Sequence, residues 1–249
     1  MNFPNQQGQN NSPNPFAYSS QPLTVADSPV EVRMEFIRKT YSLFLAGILC
    51  SIVAGTICLN SQPVLSAALG ILSSPLLAIV LLFGLSLGAQ AVSRVEGLNY
   101  AALFGFTAFI GFLFAPILAL YEQGAPGTGG HPGIVLQAAA LTTIAFSALT
   151  AYVFVSKKDF SFMGGLLFVG LIMLILGGLA NVFFFKSAGA GYYMAWITVF
   201  LFSGFVLYDT SQIIHRYDAK GYCSAALSLF LDFFNMFMAI LRILGGNRR

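Results

Sequence analysis

The sequence predicts an all-α membrane protein of seven transmembrane helices, and three observations carry that prediction. Hydrophobic residues make up 57% of the 249 and charged ones only 8%, against the ~25% charge of an ordinary soluble domain. Mean hydropathy is +0.79. Apolar runs long enough to cross ~30 Å of hydrocarbon at ~1.5 Å per residue fall at 37–59, 67–92, 100–120, 134–155, 162–185, 191–213 and 224–244.

The runs follow one another with short connections. Residues 1–33 form a polar N-terminal tail, rich in Asn, Gln, Pro and Ser over positions 1–30, where Asp27 is the only charge. Lacking a basic segment followed by an apolar one, this tail reads as disordered and not as a signal peptide. The transmembrane domain is expected over 34–246, with a basic C-terminal tail at 247–249. Asn60-Ser61-Gln62-Pro63 ends the first run, and Gly124 to Gly133, containing Pro126 and Pro132, ends the third. Pro75 and Pro116 lie inside the second and third runs, where a membrane helix accepts a kink if neighbours satisfy the freed carbonyl. Gly84-x-x-x-Gly88 allows close helix approach.

Basic residues set the expected orientation. Arg33, Arg38, Lys39, Arg94, Lys157, Lys158, Arg216 and Lys220 flank the N-terminus or lie in the connections after the second, fourth and sixth runs, against Lys186 alone on the other side. The N-terminus is therefore expected in the cytoplasm. Arg242, Arg248 and Arg249 run against this rule if the seventh helix crosses fully, so that helix is re-entrant or its tail is an exception.

Composition also excludes several functions. A net charge of +3 with no run of Lys or Arg longer than two excludes a nucleic-acid partner. Cys50, Cys58 and Cys223 have no CxxC spacing and read as small core residues. His131 and His215 lack a second ligand at helical spacing and read as solvated surface residues. The glycines of 124–133 lack the Gly-Lys-Ser/Thr ending of a phosphate loop. With no histidine inside a membrane run to activate a serine, no enzyme is expected, and no cofactor.

Two acids stand out. Asp209 and Asp232 each sit in an otherwise uncharged apolar stretch, where an ionised carboxylate costs ~2.5–3.5 kcal/mol even on lenient insertion scales. At helical spacing Asp209 shares a stripe with Thr198, Phe202, Phe205, Gln212 and Arg216, so it faces protein. Asp232 aligns with Ala225, Ser228, Asn235, Ala239 and Arg242, a small and polar face on a helix otherwise covered by phenylalanines. That helix is expected to be buried. Asp209 lies ~8 Å inside the cytoplasmic end of its helix and Asp232 ~12 Å inside the start of the next, so an antiparallel hairpin brings them to one depth.

Two carboxylates at contact distance in a low dielectric share a proton and titrate as one coupled pair. Protonation ties the helices together. Deprotonation adds repulsion and leaves oxygens free to hold a hard cation such as Ca²⁺ in passing. Arg94 and Arg242 are candidate counter-charges, with Asn235, Gln212 and Ser228 as polar support. The alternative reading is structural, with each acid accepting hydrogen bonds from Ser228, Thr198 or Asn235.

The residues around the acids also carry a family likeness. Ser203-Gly204-Phe205-Val206-Leu207-Tyr208-Asp209-Thr210-Ser211-Gln212-Ile213-Ile214, then Ala226-Leu227-Ser228-Leu229-Phe230-Leu231-Asp232-Phe233-Phe234-Asn235-Met236-Phe237 and Leu241-Arg242-Ile243-Leu244-Gly245, resemble the signature of the Bax inhibitor-1-like family, including its bacterial YccA-type and YetJ-type branch. Phe36-Ile37-Arg38-Lys39-Thr40-Tyr41 and Asp159-Phe160-Ser161-Phe162-Met163-Gly164 extend the likeness over about 34–246.

The resemblance implies a bundle whose last helix is central and ringed by the other six. It also implies a pH-sensitive calcium leak with Asp209 and Asp232 as its sensor, in a bacterial cytoplasmic membrane. Family members carry an arginine at the end of helix two and an acid within it. Arg94 is the only arginine nearby here, and 64–92 contains no acid. The expected partners are the lipid bilayer, calcium ions and protons. A different class of function is a non-channel regulator that binds an FtsH-type membrane protease, a partner associated with YccA-type relatives. A third is a proton-coupled transporter, which the absence of paired broken helices argues against.

Overall fold

The computed structural model describes residues 25–93, 95, 97–124, 130–218 and 221–246. Eight α-helices follow a short 3-10 turn at Val25–Asp27: α1 Val30–Asn60, α2 Gln62–Leu72, α3 Pro75–Val92, α4 Asn99–Gln123, α5 Ile134–Ser156, α6 Gly164–Ala180, α7 Ala188–His215 and α8 Tyr222–Gly246. Another 3-10 turn, Ser161–Met163, opens α6, and a π-turn, Asn181–Phe185, closes it. Among the described residues there is no strand, and seven helical segments are long and apolar enough to span a membrane.

The second apolar run divides differently from the expectation. Pro75 occupies the first position of α3 instead of kinking a longer helix. There its missing N–H costs nothing and its fixed φ suits the helix start. Residues 62–72 form the separate eleven-residue α2, itself opened by a proline. Pro116 does lie inside its helix, α4. The glycines at 84 and 88 have open space where a Cβ would stand, so no helix approaches α3 there. The close approach is made elsewhere. A Cβ on Gly111 would lie 1.9 Å from the Ser51 carbonyl oxygen, so backbone meets backbone between α1 and α4. Van der Waals contact at this range drives helix association where lipid removes the hydrophobic gain.

α8 is the axis of the bundle. α1, α4, α5 and α7 pack along it, α3 reaches it through Gln90, whose Oε1 accepts from Ser224 Oγ at 3.5 Å, and α6 packs on α7. Leu227, Leu229, Phe230, Met236 and Leu241 of α8 are fully buried. Phe230 and Phe233 meet rings of Phe44, Phe106 and Phe146 from α1, α4 and α5, in that order. Outward faces carry Leu136, Val155, Phe168 and Phe184, all exposed, as apolar side chains must be when the solvent is lipid.

The bundle also begins earlier than the expected tail boundary of residue 33. α1 starts at Val30, and Val25 is fully buried in the main core cluster. Its backbone N–H donates to the Tyr217 carbonyl at 2.8 Å.

α8 runs antiparallel to α7 for its whole length of 25 residues. Gly246 at its end lies against Tyr192 at the start of α7. The 25 residues of α8 form one continuous helix, without the internal break of a re-entrant hairpin. Residues 247–249 lie outside the described residues.

Candidate functional site: the aspartate pair

α7 and α8 are joined by the short connection 216–221, which makes them an antiparallel hairpin. Asp209 lies less than two turns from the end of α7 and Asp232 nearly three turns into α8. Their carboxyl groups meet at hydrogen-bonding range. Asp232 is 4% exposed, and its Oδ2 is buried without a hydrogen-bond partner. Carboxylate oxygens are acceptors only, so a hydrogen bond between the two groups would require a shared proton. Coulomb repulsion at such range, weakly screened inside protein, would otherwise separate the helices.

The other residues singled out from the sequence fall in different places. The Ser228 hydroxyl lies 3.5 Å from that of Tyr217, one turn from Asp232 toward the connection. Asn235 donates through Nδ2 to the Leu231 carbonyl of its own helix at 2.7 Å. Thr198 likewise donates to Met194 of its own turn at 2.8 Å. Gln212 is half-buried, and its carbonyl accepts from Arg216 and Tyr217 N–H groups. Arg216 is exposed and pairs with Asp159 at 3.3 Å. Arg242 lies far from the pair. It is exposed, ten residues beyond Asp232 or ~15 Å along the helix, with its guanidinium against Gly191 at the opposite end of α7. Arg242 therefore brings no charge to the aspartates. Arg94 lies outside the described residues.

Three features escaped the sequence reading. Tyr217, beyond the end of α7, covers the pair from the connection side. Burial pushes its phenol up to about 12, with the negative charge of Asp209 adding to the effect. Tyr41 of α1 places its hydroxyl between those of Thr150 in α5 and Thr210 in α7, without a well-formed bond to either. At the other end of the bundle, Glu122 of α4 accepts from the N–H groups of Gly133 and Val135 and so caps the start of α5. No spacing rule flags such residues, because each meets its partners across helices or loops. His131 lies in the α4–α5 connection, its N–H donating to the Tyr121 carbonyl at 3.2 Å, and a ring nitrogen of His215 lies 3.0 Å from the Ser211 carbonyl.

The pair offers four carboxylate oxygens, fewer than the six to eight a resident calcium requires. Among the described residues no three of His, Cys, Asp and Glu gather around one point. A lateral groove of about 1100 Å³ between α1, α4 and α5 is floored by Phe230, Phe233, Phe234 and Phe237, and neither aspartate lines it.

Comparison with known proteins agrees with this architecture. The chain is 35% identical over 224 residues to the mouse Protein lifeguard 4, covering 88% of each. It is 34% identical over 228 residues to Bax inhibitor 1 of Schizosaccharomyces pombe, covering 89% of this chain and 80% of the relative. It is 32% identical over 215 residues to the Modulator of FtsH protease YccA of Escherichia coli, covering 84% and 89%. The family described as "Inhibitor of apoptosis-promoting Bax1" matches residues 33–249, the stretch that holds all eight helices but the first turn of α1 and both aspartates. This chain is an integral membrane protein of the Bax inhibitor family.

Proposed function

We propose that the chain is a pH-sensitive cation leak, with calcium as its permeant ion, in a bacterial cytoplasmic membrane, its N-terminus cytoplasmic. The single observation that carries this reading is the meeting of Asp209 and Asp232 inside the bundle, with an acceptor oxygen of Asp232 left unpartnered. With one proton shared, the pair ties α7 to α8. Loss of that proton sets two negative charges against each other in a low dielectric, so the helices part and the freed oxygens can replace part of a cation's hydration shell. The leak therefore opens as pH rises.

Calcium flux into proteoliposomes tests this across roughly pH 5 to 8, with the pair titrating as one coupled unit. Flux in the wild type is expected to rise with pH. Asp209→Asn and Asp232→Asn keep the shape but cannot develop the paired negative charge, so each is expected to lose the pH dependence. Flux that is absent at every pH from a folded wild type removes this reading.

A regulator of a membrane protease is the second reading, favoured by the likeness to the Escherichia coli modulator of FtsH protease. Reconstitution with such a protease separates the two: a regulator changes proteolysis when both aspartates are Asn, whereas a leak that acts only through ion flux does not.

A further inference from the structure

Val25, Ala26 and Asp27 form a short turn ahead of α1 that packs on both α1 and α7. The Val25 side chain is fully buried, inserted between α1 and α7 in the same cluster as Val206, Ile213 and Leu229. Its N–H donates to the Tyr217 carbonyl at 2.8 Å. Arg33 reaches back from the first turns of α1 and clamps the turn, Nε donating to the Val25 carbonyl at 3.4 Å and Nη2 to the Ala26 carbonyl at 2.6 Å. Phe36, one turn on, lays its ring 6.2 Å from that of Tyr217.

Tyr217 is the residue this turn holds down, and Tyr217 is what lies over the aspartates. Its hydroxyl is within reach of Ser224 and Ser228 and feels the charge of both acids. Ser224 is 4% exposed and continues the line of hydroxyls to Gln90 of α3. Tyr217, Ser224, Ser228 and Gln90 thus form a polar cluster on the connection side of the carboxyl pair, and the turn ahead of α1 packs on its Tyr217.

We propose that Val25–Asp27 is a stopper, seated on Tyr217 and latched by Arg33, that controls access from the N-terminal face to the Asp209–Asp232 pair. The proposal rests on the leak reading for its consequence, though not for its geometry.

Cysteine accessibility measures the stopper without reference to flux. In the full chain with Cys50, Cys58 and Cys223 changed to Ser, Ser224→Cys places a thiol beneath Tyr217, and a charged methanethiosulfonate is applied in detergent. Labelling is expected to be slow, and Val25→Asp is expected to accelerate it roughly tenfold or more, as local opening becomes frequent. Arg33→Ala leaves the core side chains intact and is expected to accelerate it as well, which keeps the test decisive if Val25→Asp fails to fold. Labelling that is already fast in the parent, or unchanged in a folded Val25→Asp and in Arg33→Ala, overturns the stopper. Calcium flux in the same variants separates the two readings. Faster labelling with no flux in any protein upholds the stopper and removes the leak. Wild-type flux that rises with pH, with labelling and flux both indifferent to the two variants, upholds the leak and removes the stopper.

Discussion

At the scale of single residues, burial and reach decide what each substitution does. Asp232 is buried among apolar side chains and meets Asp209, so Asp232→Asn keeps a neutral hydrogen-bonding group in place, while Asp232→Leu leaves Asp209 without its partner. The isosteric variant is expected to melt near the wild-type temperature in detergent and the leucine variant lower. Glycines separate equally sharply. Gly111→Ala drives a methyl into the Ser51 carbonyl and is expected to cost ~1–3 kcal/mol as α1 and α4 are forced apart. Gly105→Ala, on the same helix with open space around its Cβ position, is expected to be neutral or stabilising by up to ~1 kcal/mol, since Ala is the better helix former. Thermal unfolding of the two in one detergent checks both.

At the scale of elements, connections fix how neighbouring helices end. Asp159 ties the α5–α6 connection to α7: its Oδ1 accepts from Ser161 N–H at 2.9 Å, from the Ser161 hydroxyl, and from Ser211 Oγ at 3.4 Å, while Oδ2 pairs with Arg216. The hydrogen bonds from Ser161, with Arg216 assisting, hold this carboxyl down to about 2. A carboxylate held lower in the folded state than its ordinary value of ~3.9 stabilises above that value. That stabilisation disappears as pH falls from about 4 toward 2. Asp159→Asn is therefore expected to melt below the wild type at neutral pH and alongside it near pH 2, a convergence that thermal scans across this window can follow. The difference is expected to be small, because the Arg216 and Asp159 side chains are 59% and 48% exposed and screened by water. Glu122 acts similarly for α5. Glu122→Ala is expected to fray its first turn at a cost of ~1 kcal/mol, visible as faster amide exchange at Gly133 and Val135.

At the scale of the whole molecule, the bundle is ordered by its axis, with Phe230, Met236 and buried leucines of α8 at the centre and a shell of exposed apolar side chains, phenylalanines included, outside. Phe230 at the axis is 1% exposed and Phe184 on the shell 82%. Phe230→Ala is expected to cost ~3–5 kcal/mol through lost contacts and a cavity, and Phe184→Ala almost nothing, because lipid replaces the ring. A common unfolding assay in one detergent checks this contrast, and comparable losses at both positions would mean that the bundle lacks this centre. Under the proposed leak, the axial position of α8 is what would let one hairpin act as a gate. A change in charge at Asp232 is felt by every helix packed on that axis, since close-packed interiors transmit displacement instead of absorbing it.

The sequence by itself determined the membrane class, the seven spans, and the two acids as the residues whose placement costs most. Those follow from composition, run length and the expense of a charge in hydrocarbon, all of which are local along the chain. Depth counting in an antiparallel hairpin also sets Asp209 and Asp232 at one level. Tertiary structure alone decided the rest. Pro75 reads the same whether it kinks a long helix or opens a new one, and only the break at 73–74 distinguishes them. Arg242 shares a helical stripe with Asp232 in sequence, yet distance along the axis places it at the other end of the bundle. Val25 looks like part of a polar tail until its burial against α7 is seen. Periodicity assigns residues to faces, but it contains no information on which faces meet or on what a loop folds back to cover.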